Sequence, residues 1–350
     1  MKGRPGLPKA PVDHVSLSAC GWLYMFQCGV VAFMQDQFDL SHTKCYGTSA
    51  GAIVGCSLCC NYPTKRLGEE ILRAHRTQRE KKDFLMMVPL AEEGCDKLCP
   101  EDAHAKCSNR LTIVCSALEQ SVLSLFSSKH FNSFPSRQDI VAVLKATIRV
   151  PIIGGYWPAY VRGHYLFDGL LTESHCRMDE ASGRLLRIVH NDRCACGCAT
   201  TPDQTIMPDI DLPKHWALLP PSEGALRVLF YHGYGQAAAF FQKCNADAGG
   251  EAGSEASPLD EEEKCWSRSC VEDLESAALD ADSSRVLFQY AVTHREHVTA
   301  YLRAHVRDNM GRWESYGLHV LRYMLVFLLA ILPLFSKLFG PALSYFIIID

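Results

Sequence analysis

Gly47-Thr48-Ser49-Ala50-Gly51 is a G-x-S-x-G run set between a short apolar segment and a helix-like one. Small residues on either side of a serine allow a sharp strand-to-helix turn that holds the hydroxyl clear of the backbone, the requirement of a nucleophile elbow. The helix that follows would aim its free N–H groups and positive end at the same point. Two other segments complement it. Ala19-Cys20-Gly21 breaks a short strand and opens a helix, where successive N–H groups can converge on an anion such as a tetrahedral oxygen. Asp168-Gly169 closes the strand Tyr165-Leu166-Phe167 and offers a carboxylate able to take the Ser49 proton directly, without an imidazole.

Elements must exist to bring these groups together. Val12–Ser18 reads as a first strand, Trp22–Phe38 as a helix with Leu23, Phe26, Val30, Val31 and Met34 on one face, and Thr43–Tyr46 as the strand entering the elbow. Ala50–Cys60 is the helix after the serine, and Pro63–Lys82 is amphipathic, with Leu67, Ile71 and Leu72 opposed to Arg73, Arg76 and Arg79. Arg110–Glu119 alternates as a strand, and Val122–Phe126 is expected as its hairpin partner. Arg137–Thr147 is helical, and Leu185–Val189 adds a strand. Interleaved strands and helices predict an α/β class, a three-layer fold with a central, mostly parallel sheet flanked by helices. In such a sheet the strand ends line up, which is the expected route by which Asp168 reaches Ser49.

A chain of 350 residues holds one large domain and an appendage, and its formal net charge of −4 gives no reason to expect nucleic-acid binding. The 17 cysteines are an odd number, no N-glycosylation sequon occurs, and Met1–His14 lacks the apolar core of a secretory signal. The expectation is reduced thiols facing the cytosol, not a secreted protein. Cys95, Cys99 and Cys107 with His104 between, and Cys194, Cys196 and Cys198, are read as structural thiols, with a metal as the alternative for both and a disulfide as a further one for the second.

The domain reading places an extension over 1–11, the sheet domain over 12–245, an acidic linker over 246–264, a polar helical region over 265–317 and an apolar tail over 318–350. The two halves of the tail, broken by Pro333, Lys337, Gly340 and Pro341, are each shorter than the about 20 residues a spanning helix needs. They suit a re-entrant or interfacial anchor, the alternatives being a buried helix or a span. Trp157 and Tyr160 are read as groove or interface residues or as ordinary packing, and Arg73, Arg76 and Arg79 as lipid-facing or solvated.

A Ser-His-Asp hydrolase fits these residues poorly. Only 48 residues precede Ser49, enough for one strand and one helix, and none of His190, His215 or His232 sits in an obvious loop after a strand. The shorter serine–aspartate arrangement resembles the patatin-like phospholipases, within them the adipose triglyceride lipase type, over roughly residues 12–243. The resemblance rests on Ser16–Leu23, Gly47–Gly51, Asp168-Gly169, Ala146–Pro151, and Pro220-Pro221 followed by Gly233-Tyr234. It implies Ser49 as nucleophile, Asp168 as general base, Ala19, Cys20 and Gly21 as oxyanion hole, Gly47 and Gly51 as elbow glycines, and Gly169 as part of the aspartate motif. It further implies hydrolysis of triacylglycerol or glycerophospholipid through an acyl-serine, with no metal or cofactor. The expected setting is a membrane, endoplasmic reticulum or lipid-droplet surface, where a protein activator is a possible partner. Where the family has glycines this chain has Ala19 and Tyr24, and Leu170 follows Asp168-Gly169. Ala19 would be strained if its backbone were left-handed. The rival readings are a non-catalytic lipid-surface protein and an acyltransferase using the same acyl-serine.

Overall fold

The computed structural model describes residues 6–81, 83–119, 126–151, 154, 157–173, 183–190, 204–247, 269–280 and 284–309. The chain divides into a compact unit ending at Arg303 and a second beginning at Ala304, and the first holds the sheet and the site. Of the expected linker over 246–264 only Ala246 and Asp247 are described, as the end of a helix, and its remainder, the apolar tail and the Cys194 cluster lie outside the described residues. Among the described residues no helix is long and apolar enough to cross a membrane.

Eight strands form one sheet: β1 His14–Leu17, β2 Lys44–Thr48, β3 Leu111–Leu118, β4 Phe126–Phe131, β5 Ala159–Val161, β6 His164–Asp168, β7 Leu185–Ile188 and β8 Thr205–Ile206. The pairs β1–β2, β1–β7, β2–β3 and β7–β8 are parallel, so the expected mostly parallel sheet flanked by helices is the observed one. The β3–β4, β3–β6 and β5–β6 pairs are antiparallel. Two sequence expectations concern the partners of β3. The described partner of β3 is Phe126–Phe131, which shares Phe126 with the expected Val122–Phe126, whose other residues lie outside the described ones. This strand reads Phe-Ser-Ser-Lys-His-Phe, a half-solvated edge with little apolar signal. Asp168 also arrives on an antiparallel strand, not on a parallel neighbour.

The registers explain how it still arrives. β3 pairs with β2 over Leu111–Val114, with β6 over Cys115–Ala117, and with β4 over Ile113–Leu118. A strand has two edges, so β4 fills one while β2 and β6 meet end to end along the other. Thr48 stands opposite Val114 and Asp168 opposite Cys115, successive positions of one strand.

Helix α1 (Tyr24–Gln37) is buried on nearly every face and packs chiefly on α7 (Glu223–Asp247). Helix α2 (Ala50–Cys60), made of small and apolar residues, exposes only part of Ile53 and packs on β2. An all-round apolar helix is one meant for the interior. It ends at left-handed Asn61, a common helix stop. Helix α3 (Thr64–Lys81) buries Leu67, Ile71, Leu72 and His75, while Arg73 and Arg76 pair with Glu70 and Glu223 on its solvent side. Helices α4 (Met87–Leu98), α5 (Ala103–Cys107) and α6 (Arg137–Thr147) follow; the last is capped by Ser136, whose hydroxyl accepts from Asp139 N–H. The polar helical region appears as α8 (Ser269–Ser276), α9 (Ser284–Thr293) and α10 (Arg295–Asn309), with α8 and α9 packed on α7.

Glycine is required where α2 begins. A Cβ at Gly51 would lie 2.5 Å from Leu17 O and 2.6 Å from Ser18 O, backbone atoms that cannot step aside. Helix propensity alone favours alanine by about 1 kcal/mol, whereas overpacking against fixed backbone costs about 1–3 kcal/mol or more. Gly51→Ala is therefore expected to lower the midpoint of thermal unfolding; a rise would show that the β1–α2 contact yields.

Candidate active site

The end of β2 delivers Ser49 into a turn with φ 55° and ψ −131°, a backbone region that non-glycine residues rarely adopt and that costs about 1–3 kcal/mol. Tertiary contacts hold it there. Ser49 N–H donates to Thr147 Oγ1 at 2.9 Å, and Thr147 Oγ1 in turn donates to Val114 O. The side chain at the end of α6 thus ties the elbow to β3. Gly47 is pressed against the first turn of α2, where a Cβ would sit 2.4 Å from Ala52 Cα.

Ser49 Oγ donates a hydrogen bond of 2.6 Å to Asp168 Oδ2, and both residues are buried. The other carboxylate oxygen, Oδ1, accepts from Leu170 N–H at 2.8 Å. Leu170 thus contributes its backbone amide, while the residue is half exposed and lines the same cavity as the pair. Gly169 lets the turn pass close to Val114 O, 2.5 Å from where a Cβ would be. Burial pushes the Asp168 carboxyl up from 3.8 to about 7, against the opposing effects of the Ser49 and Leu170 hydrogen bonds. A carboxylate with that pKa is a far stronger base than an exposed aspartate, and it is poised near neutral pH.

Among the described residues no histidine hydrogen-bonds to Ser49 or Asp168. His190 Nδ1 approaches Ser18 Oγ at 3.5 Å, and His232 Nε2 faces Asp209 Oδ1 at 3.2 Å. The pair is a dyad.

Ser18 to Gly21 form the turn after β1. Ser18 N–H donates to Ile188 O, while Gln27 Nε2, buried in α1, donates to Ser18 O at 2.9 Å. Across a trans peptide the Ala19 N–H points opposite to the captured Ser18 carbonyl. Gly21 takes the left-handed position at φ 51°, with Ala217 O filling the space of its missing side chain. Among the described residues the left-handed non-glycine positions are Ser49, Asn61, Asn109 and Arg162, so Ala19 bears no such strain. The glycine that the turn needs is the one present.

Ala19, Cys20, Gly21, Ser49 and Asp168 all line one cavity of about 390 Å³. Its remaining wall is largely apolar, with Ile53, Leu67, Ile71, Leu90, Leu144 and Ile148 among the lining residues. Tyr24, which stands where the family has a glycine, also belongs to this wall. Trp157 (72% exposed) and Tyr160 (67% exposed) lie at the surface, and Tyr160 packs on Tyr165 with ring centroids 5.0 Å apart.

The cysteine grouping expected from spacing is rearranged. His104 Nδ1 is engaged with Glu101 O, and Cys107 meets Cys56 and Cys60 of α2 instead. Sequence reasoning also missed Thr147 and Gln27. Thr147 closes a helix within the Ala146–Pro151 segment, and a glutamine in the apolar first turns of α1 is the kind of buried amide that must be holding something.

Thr147→Val keeps the shape and removes the hydroxyl, leaving Ser49 N–H and Val114 O unpaired. Each such group costs about 1–3 kcal/mol. The variant is expected to lose on the order of 2 kcal/mol or more in urea unfolding and to react more slowly with a serine-directed phosphonate, whereas Thr147→Ser keeps most of both. Equal behaviour of Thr147→Val and wild type would remove Thr147 from its positioning role.

Residues 15–175 match the profile of the family described as patatin-like phospholipase. Among curated proteins the chain is similar to omega-hydroxyceramide transacylase of Mus musculus, 25% identical over 272 residues that cover 70% of this chain and 42% of that one. It is 28% identical over 177 residues to patatin-like phospholipase domain-containing protein 4 of Homo sapiens, covering 47% of this chain and 67% of that protein. It is 21% identical over 168 residues to 1-acylglycerol-3-phosphate O-acyltransferase Pnpla3 of Mus musculus, covering 46% and 40%. The chain spans less than half the length of the transacylase. The family match runs from β1 past the Asp168 turn, so the chain carries a patatin-like phospholipase domain over residues 15–175.

Proposed function

We propose that the chain is a lipid acyl hydrolase, a carboxylic ester hydrolase that works through an acyl-serine on Ser49 with Asp168 as the base. The observation that carries this reading is the buried 2.6 Å hydrogen bond from Ser49 Oγ to Asp168 Oδ2, opening on an apolar cavity. Asp168 takes the hydroxyl proton as Ser49 Oγ attacks the ester carbonyl, and the oxyanion faces the N–H groups of Ala19, Cys20 and Gly21. The tetrahedral adduct collapses, and the leaving alcohol takes the proton from Asp168. Water, deprotonated by the same carboxylate, then attacks the acyl-serine, and collapse of this second adduct releases the fatty acid and restores Ser49. The apolar wall of Ile53, Leu67, Ile71 and Leu144 suits a hydrocarbon chain.

Exposed Trp157, Tyr160, Tyr165, Leu170 and Leu171 support a lipid surface as the place of action, since they bracket β5, β6 and the Asp168 turn. The apolar sequence over 318–350 supports the same setting as a membrane or droplet anchor.

A second reading is favoured by relatives named as a transacylase and an acyltransferase: an alcohol acceptor in place of water would turn the same acyl-serine to acyl transfer. Product analysis with an acylglycerol or lysolipid present separates free fatty acid from a new ester.

Ser49→Ala is expected to abolish labelling by a fluorophosphonate and hydrolysis of p-nitrophenyl acyl esters, a loss of ~10³-fold or more in kcat/KM. Labelling and turnover unchanged in Ser49→Ala would sink the enzyme reading and favour the non-catalytic one.

A further inference from the structure

Residues Cys56 and Cys60 lie four apart on α2, so their side chains share one face of the helix that starts at the nucleophile. Across from that face α5 ends at Cys107. The three Sγ atoms form a nearly equilateral triangle: Cys56–Cys60 4.0 Å, Cys60–Cys107 3.6 Å and Cys107–Cys56 3.9 Å. All three residues are buried. A disulfide would need ~2.05 Å between two of them. Four thiolates held ~2.3 Å from a zinc ion are instead spaced ~3.8 Å along every edge of the tetrahedron, so this triangle has the dimensions of one tetrahedral face. A further buried thiol, Cys99 after α4, lies outside the triangle and lines the same cavity as Cys56.

We propose that Cys56, Cys60 and Cys107, with Cys99 as the fourth ligand, form a structural Zn2+ site. Zn2+ displaces the four thiol protons to solvent and fixes α2 to α5 and to the end of α4. Cys56 and Cys99 line the catalytic cavity, so the ion also rigidifies the cavity wall behind the nucleophile helix. The four thiols come from three separate stretches of sequence, with Cys56 and Cys60 spaced as C-x3-C.

The test uses the full chain, expressed with zinc present and purified under reducing conditions without chelator. Metal content by mass spectrometry is expected at about one Zn2+ per chain. Chelator-stripped wild type titrated with Co2+ is expected to develop the thiolate-to-cobalt absorption of a tetrahedral site. Cys60→Ser and Cys107→Ser lose the stoichiometric metal, and Cys99→Ser weakens it. Cys45→Ser and a triple serine variant at Cys194, Cys196 and Cys198 retain it. Chelator treatment of wild type lowers the thermal midpoint, and Zn2+ restores it. The cobalt titration of wild type keeps the test decisive if a cysteine variant does not fold. Absence of both zinc and the cobalt band, a disulfide among these four cysteines in the freshly purified protein, or metal that only the triple variant loses would each overturn the site.

Discussion

One buried hydrogen bond organises this molecule: Ser49 Oγ to Asp168 Oδ2. An aspartate there is costly. Its climb from 3.8 to about 7 disfavours the ionised form by on the order of 4 kcal/mol. Because the folded value lies above the unfolded one, the contribution of Asp168 to stability is full below about pH 4 and is lost as pH rises to about 7. The protein is therefore least favoured by this residue in the ionisation state the proposed chemistry needs. That is the expected sign for a base built for reaction, and it contrasts with Asp209, which is held down at about 2 by hydrogen bonds and charge from His232 despite the opposing effect of burial.

The sheet makes the encounter geometric. β3 serves as a ruler: β2 and β6 abut along one of its edges, so Thr48 opposite Val114 and Asp168 opposite Cys115 fix their neighbours side by side. Three more constraints keep the serine usable. Thr147 holds the strained Ser49 amide, Gly51 lets α2 begin against the carbonyls of β1, and Gln27 holds the turn that carries Ala19 to Gly21. None of these is a reacting group. Each acts by fixing backbone direction, and small displacements at such a site are costly in rate.

The sequence made the elbow legible because its demands are local: two glycines flanking a serine, a short strand before and an apolar helix after. Helix α2 over Ala50–Cys60 and α6 over Arg137–Thr147 have the bounds expected from periodicity, for the same reason. What local pattern could not carry was pairing. The polar edge strand β4 gives almost no apolar signal, and the antiparallel approach of β6 depends on which edge of β3 remains open. The concern over Ala19 came from aligning glycines by motif, whereas φ assigns the left-handed position to Gly21. The thiol cluster was invisible to spacing for the same reason as the pairing, since α2 and α5 meet only in the folded chain.

The account stands on Asp168 being the group whose deprotonation arms Ser49. The most direct measurement is the second-order rate of Ser49 phosphonylation by an uncharged organophosphate across roughly pH 5 to 9. It should fall tenfold per pH unit on the acid side, with a single midpoint near 7, and Asp168→Asn should abolish that limb along with most of the rate. A rate that is flat through neutrality, or an acid limb that survives unchanged in Asp168→Asn, would contradict it.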